Sequence, residues 1–359
     1  MTEPPETEPP QPSMIALPQQ HQDDPNGLAL FRAYPHLRER LPYVALGCLP
    51  TPVELLERVG AELGLERLYV KRDDLSGVTY GGNKVRKLEF LLGDALRAGA
   101  QEVITLGFAG SNHALATAIY AQQLGLRCVS LLMPQVNAHY VRRNLKAGYH
   151  FQAELRPCSG AAVLTLDLLR KSLHDRMRDG VFPRFIPGGG SCPLGVVGYV
   201  NAALELADQI RSGQLPEPDI IYVPMGSMGT SAGLALGLKA AGLRSRLVAV
   251  RVIEDKWASP QALQRLLSRT ATFLHKLEPD FPSLVGAEDA LTIRDDCLGD
   301  GYARFTAKGM RASELLREKA GIVLNGSYSA KAFSAILDDS PQRLARNQTV
   351  LFWNTYNSR

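Results

Sequence analysis

From residue 51 onward, short apolar runs alternate with longer segments whose apolar positions recur every three or four residues. Continuous runs rich in Val, Ile, Leu and Phe predict strands at 68–71, 103–106, 128–133, 182–186, 220–223, 247–253 and 350–353. Helical spacing fills 112–124, 194–211, 230–241 and 260–274. A further helical face, Val85, Leu88, Leu92, Ala95 and Leu96, begins just after Asn83, which stands where the first turn would be capped. Apolar strands separated by helices specify parallel sheets covered on both faces, an α/β architecture that binds ligands at the carboxyl ends of its strands. No internal repeat interrupts this order.

The first 27 residues follow no such pattern. They are rich in proline and acid, lack Lys and Arg, and predict a disordered tail rather than a secretory or transit segment. The remaining length is enough for two lobes. A formal net charge of +4 is too small and dispersed for a nucleic-acid groove, and no apolar stretch is long enough to cross a membrane. Cys48, Cys128, Cys158, Cys192 and Cys297 are odd in number, widely spaced and without metal-ligand pairing. They fit a reducing, cytoplasmic compartment and predict no metal site.

Three segments carry candidate chemistry. Gly81-Gly82-Asn83-Lys84 sets a lysine at a helix start, behind glycines that let a flat ligand come close. Arg86 and Lys87 nearby would disfavour its ammonium form by like charge, as amine chemistry requires. After the strand at 220–223 comes Gly226-Ser227-Met228-Gly229-Thr230, whose N–H groups, hydroxyls and helix start form a phosphate cradle without a Walker lysine. After the strand at 103–106 comes Ser111-Asn112-His113, again at a helix start, able to hold a carboxylate or donate to a ring oxygen, or simply to cap the helix. An amine for an aldehyde, a donor for a ring oxygen and an N–H-rich nest for a phosphate together suit pyridoxal phosphate.

With these segments stand Leu49-Pro50-Thr51-Pro52, Lys71-Arg72-Asp73-Asp74-Leu75-Ser76-Gly77, Gly189-Gly190-Ser191, Gly301-Tyr302, and Tyr328 with Lys331-Ala332. In this order, from about residue 46 to 353, the chain resembles the D-cysteine desulfhydrase and 1-aminocyclopropane-1-carboxylate (ACC) deaminase family of tryptophan-synthase-β-like, fold-type II enzymes. The resemblance implies a larger cofactor-binding domain from 28–86 and 200–359, a smaller α/β domain from 87–199, open, mainly parallel sheets, and a homodimer. It implies Lys84 as the Schiff-base lysine, with Asn83 and Asn112 beside the cofactor and Gly226, Ser227, Met228, Gly229 and Thr230 on its phosphate. Ser111, Asn112 and His113 would meet a small amino acid substrate, and Tyr302 and Tyr328 would act on its reacting side. Arg72, Asp73 and Asp74 read as structural.

The resemblance places Ser329 at the pyridine nitrogen, where deaminases resemble one another in having glutamate and desulfhydrases threonine. A hydroxyl leaves the ring a modest electron sink and suits a substrate whose β leaving group accepts the electrons. The expected reaction is therefore α,β-elimination to a keto acid and ammonia, with Lys84 as anchor and base. ACC deamination, racemisation and β-replacement are the alternatives within pyridoxal phosphate chemistry, and a non-catalytic binding module is the alternative outside it. Phe108-Ala109-Gly110, Cys192, Asn325-Gly326-Ser327 and Asn354-Thr355-Tyr356-Asn357 depart from the usual family residues, which marks a divergent subgroup.

Overall fold

The computed structural model describes residues 27–136, 139–159, 161–282, 290–340 and 343–357, with side chains at 139 and 161–167 set aside. The predicted tail lies outside the described residues except for Gly27. Two sheets carry the fold. The larger contains β1 (Val53–Leu55), β2 (Arg67–Arg72), β7 (Ile220–Met225), β8 (Arg246–Arg251), β9 (Leu291–Arg294) and β10 (Thr349–Asn354), in the order β1-β2-β10-β7-β8-β9. The smaller contains β3 (Glu102–Phe108), β4 (Arg127–Met133), β5 (Glu154–Pro157) and β6 (Arg184–Ile186), in the order β5-β4-β3-β6. Only the β1–β2 pairing is antiparallel among these ladders.

All seven predicted strands are present, and the three that the pattern misses, β1, β5 and β9, lie at sheet edges. Each is half-exposed along its length, so none presents a continuous apolar run. By contrast β7 and β10 are buried at every position.

The helix Pro193–Arg211 is buried on nearly all sides and packs between the helices Lys84–Arg97 and Gly229–Ala240. Contact with the latter is close enough to require glycine: a Cβ on Gly237 would stand 2.6 Å from Ala203 Cβ and 2.7 Å from the Val200 carbonyl. The expected divisions at 86/87 and 199/200 fall inside the helices Lys84–Arg97 and Pro193–Arg211. No helix among the described residues is long and apolar enough to cross a membrane.

Candidate active site

The carboxyl ends of β3, β4, β7, β8 and β10 open on one cavity of about 320 Å³, which spans both sheets. Lys84 reaches it from the turn that follows β2. Asn83 occupies the N-cap position but does not cap: its Oδ1 accepts from Lys84 Nζ at 2.8 Å and its Nδ2 donates to Thr230 Oγ1 at 2.9 Å. Burial of the stem brings the Lys84 amine down to about 8. The expected like charge acts between Lys84 and Lys87, where it lowers Lys87, and it does not come from Arg86. Arg86 is neutralised by Asp73 and Glu205 at 2.8 and 2.9 Å.

Beneath the lysine turn lies a buried polar network that explains the structural reading of Asp73. Its carboxylate accepts from Arg86, Thr51 Oγ1 at 2.9 Å, Tyr199 at 2.6 Å and Trp353 Nε1 at 2.8 Å. Glu205 accepts from Lys71 at 2.6 Å and from Arg86. The two cations and two carboxylates balance, and the charge-assisted bonds fix the backbone that carries Lys84. Arg72 and Asp74 pair at 2.8 Å on the same loop.

The turn between β7 and the helix Gly229–Ala240 is the cradle. Met228 adopts the left-handed conformation at φ 66°, turning the chain so that the helix start faces the cavity. The first intrahelical bond runs from Ala232 N–H to the Met228 carbonyl, which leaves the N–H groups of Thr230 and Ser231 available. Ser191 joins them: its Oγ lies 2.8 Å from Ser227 Oγ and accepts from Gly229 N–H at 3.2 Å. A Cβ on Gly229 would sit 2.6 Å from Ser191 Oγ and 2.8 Å from Lys87 Nζ, so a side chain there would displace both groups from the cradle. Lys87 is a contributor that the sequence reading missed. It is buried beneath the cradle, donates to the Gly189 carbonyl at 3.1 Å, and is held well below the usual lysine pKa by burial and by Lys84. A phosphate dianion would supply the counter-charge that Lys87 lacks.

At the end of β3, Ser111 caps the helix Asn112–Gln123 by accepting from Ala114 N–H at 3.2 Å, which leaves its own proton free to donate. Asn112 Oδ1 accepts from Tyr80 at 3.2 Å and from Asn144 at 3.0 Å, so its amide nitrogen is the end left to donate. Tyr80 and Asn144 orient Asn112 from distant segments, and no local sequence signal marks them. His113 is buried and lines the cavity. Burial, then Lys84 and Lys87, push its pKa well below the usual value, and neither ring nitrogen makes a hydrogen bond of normal geometry. It is a neutral imidazole.

Tyr302 and Tyr328 face each other across the cavity wall with hydroxyl oxygens 2.6 Å apart. Burial raises the pKa of both, so both keep their protons. One hydroxyl donates to the other, and the second proton is left over. Ser329 does not reach the wall. It is fully buried at the start of the helix Ser329–Asp339, and its hydroxyl accepts from Asn325 N–H at 2.8 Å. Thr355, just beyond β10, is among the residues that line the cavity, and no Asp or Glu is among the lining residues described.

These groups fit pyridoxal phosphate: an amine of lowered pKa, an oriented amide donor, and an N–H cradle above the buried Lys87 amine, which a phosphate would favour in its charged form. Residues 44–355 match the family described as pyridoxal-phosphate dependent enzyme. A D-cysteine desulfhydrase of Klebsiella pneumoniae (strain 342) is 35% identical over 326 residues, which cover 88% of this chain and 94% of the relative. One of Salmonella schwarzengrund (strain CVM19633) is 34% identical over 329 residues, covering 89% and 95%. An ACC deaminase homologue of known structure superposes with a TM-score of 0.76 at 30% identity, covering 92% of this chain and 94% of its own. The processed form of threonine deaminase isoform 2 from Solanum lycopersicum shares the fold, with a TM-score of 0.62 at 17% identity and coverage of 100% and 94%. The chain belongs to the pyridoxal-phosphate dependent enzymes of fold type II, in the family that holds the D-cysteine desulfhydrases.

Proposed function

We propose that the chain catalyses α,β-elimination on a small amino acid, releasing a keto acid and ammonia. The observation that carries this reading is a cavity holding a lysine amine of pKa about 8 and no carboxylate among its described lining residues. When bound, pyridoxal phosphate supplies the aldehyde that Lys84 bonds and a ring that takes up electrons released at the substrate's α-carbon. Without a carboxylate to hold its nitrogen protonated, the ring is a modest sink, and a β leaving group must accept the electrons. Thr355, which lines the cavity where Ser329 does not, would be the hydroxyl to meet that nitrogen.

The chain's own groups divide the remaining work. Asn112, oriented by Tyr80 and Asn144, donates to the ring oxygen, and Thr230, Ser231, Ser191, the Gly226–Gly229 backbone and Lys87 hold the phosphate. Ser111 and the start of its helix receive the substrate carboxylate. The Lys84 amine, half deprotonated at about pH 8, would take the α-proton. The spare proton of the Tyr302–Tyr328 pair goes to the leaving group, which needs an acid that has stayed protonated. His113, neutral and apolar-packed, shapes the pocket beside the lysine.

ACC deamination is the second reading, favoured by the ACC deaminase homologue of similar structure and opposed by the missing carboxylate. A homodimer in a reducing compartment completes the proposal, supported by the resemblance and by five free cysteines. The test is a panel of D- and L-amino acids incubated with the cofactor-loaded protein, with pyruvate, ammonia and sulfide measured. Cysteine or β-chloroalanine should give pyruvate, and ACC little 2-oxobutanoate. Efficient ACC turnover overturns the elimination reading, and turnover of no amino acid favours a binding module.

A further inference from the structure

One part of the cavity lining is made of different material from the cradle. Leu106 and Phe108 end β3, Met133 ends β4, Ile253 and Trp257 follow β8, and Tyr302 closes the row. The Phe108 ring lies 5.0 Å from the Tyr302 ring at 36°, and the Trp257 ring meets Phe108 edge-on at 5.8 Å. Trp257 is 45% exposed although it belongs to this aromatic row. The Tyr302 hydroxyl is engaged by Tyr328 at 2.6 Å, which leaves the Trp257 indole N–H as the other polar group among these side chains. None of the cavity-lining residues of this wall is charged, although Lys256 Nζ stands 5.9 Å from the centroid of the Trp257 ring. A substituent carried on the substrate's β-position would find mainly apolar and aromatic surface here.

Building on the elimination reading, we propose that this wall is a side-chain subsite for S-substituted cysteines, thioethers bearing an alkyl or aryl group on sulfur, in preference to free cysteine. Free cysteine offers only an S–H to the wall, whereas a thioether fills it and half-covers Trp257. The reaction balances without an oxidant or reductant. The Cα–H proton is removed, its electron pair becomes the Cα=Cβ bond, and the Cβ–S bond breaks with its pair on sulfur. The thiolate takes a proton to leave as RSH, and the released 2-aminoacrylate is hydrolysed by one water to pyruvate and ammonium.

Two measurements test this. The first compares kcat/KM, by thiol and pyruvate release, along cysteine, S-methyl-, S-ethyl- and S-propylcysteine of either hand. Each added methylene should raise kcat/KM about fourfold, and Phe108→Ala or Trp257→Ala should flatten that slope. The second titrates the holoenzyme with 2-aminobutyrate, norvaline and norleucine, which replace sulfur by methylene and cannot eliminate, while following tryptophan emission. Affinity should rise along the series with a blue shift that Trp257→Phe abolishes, since Trp353 is fully buried and reports nothing. A flat or falling series in both measurements overturns the subsite even where cysteine is eliminated. A rising binding series with no turnover upholds the subsite as an apolar binding wall but overturns the thioether assignment together with the elimination reading.

Discussion

Asn83 holds Lys84 and the cradle in one geometry: its Oδ1 accepts from Lys84 Nζ at 2.8 Å while the other end of the same amide donates to Thr230 at 2.9 Å. The Thr230 hydroxyl, accepting from Asn83, keeps its own proton for a ligand in the cavity. A neutral amide orients the amine without adding a counter-charge. Burial alone therefore sets the lysine near 8.

The rate at which the cofactor-free protein takes up pyridoxal phosphate, followed by visible absorption, should accordingly rise with pH through a midpoint of about 8. Asn83→Asp would set a carboxylate against the amine and move the midpoint up by about one to two pH units. A midpoint unmoved in the variant would show that Asn83 does not face the amine.

Gly229→Asp should weaken cofactor retention by more than about tenfold, because it pushes a carboxylate against a dianion and displaces Ser191 and Lys87. Lys87→Gln should weaken it less, by about tenfold, through loss of the buried cation. Equilibrium dialysis reads both. Retention equal to the parent in either variant would place the phosphate elsewhere.

Asp73→Ala should cost about 3–5 kcal/mol in urea unfolding, since it leaves buried Arg86 and Lys71 sharing the single carboxylate of Glu205 and the Tyr199 and Trp353 donors without their acceptor. A cost under about 1 kcal/mol would mean that the network is solvated rather than buried.

Glu89 gives a pH-dependent stability. Burial raises its carboxyl from the ordinary 4.5 to about 7, against the N–H groups of Gly47 and Leu46. Its protonated form thus contributes stability that is full below pH 4.5 and lost as pH rises through 7. Glu89→Gln should therefore match the parent in acid and exceed it above pH 7 by up to about 3 kcal/mol. A variant less stable than the parent at pH 8 would show that the carboxylate is stabilised where it stands.

Much of this was legible in the chain because each turn carries its own local signal. Gly81-Gly82-Asn83-Lys84, the Gly226–Thr230 turn and Ser111-Asn112 all follow apolar strands, and the fold brings all three to one cavity. What escaped depends on contacts made across the fold. Tyr80 and Asn144 act through Asn112, and Lys87 lies one helical turn past Lys84 among residues that read as ordinary helix. Ser329 was misplaced because the Asn325-Gly326-Ser327 turn folds its hydroxyl back onto Asn325 N–H, which no spacing rule foretells. The Arg86 half of the like-charge explanation fails for a related reason: Asp73 and Glu205, distant in sequence, already neutralise Arg86, while the repulsion with Lys84 falls on Lys87.

The central claim is that Lys84 carries the cofactor, and borohydride reduction of the loaded protein followed by peptide mapping tests it most directly. The pyridoxyl group should be found on Lys84, and Lys84→Ala should lose both the label and the visible absorption. A label on Lys87 or any other lysine of the parent protein would contradict the account.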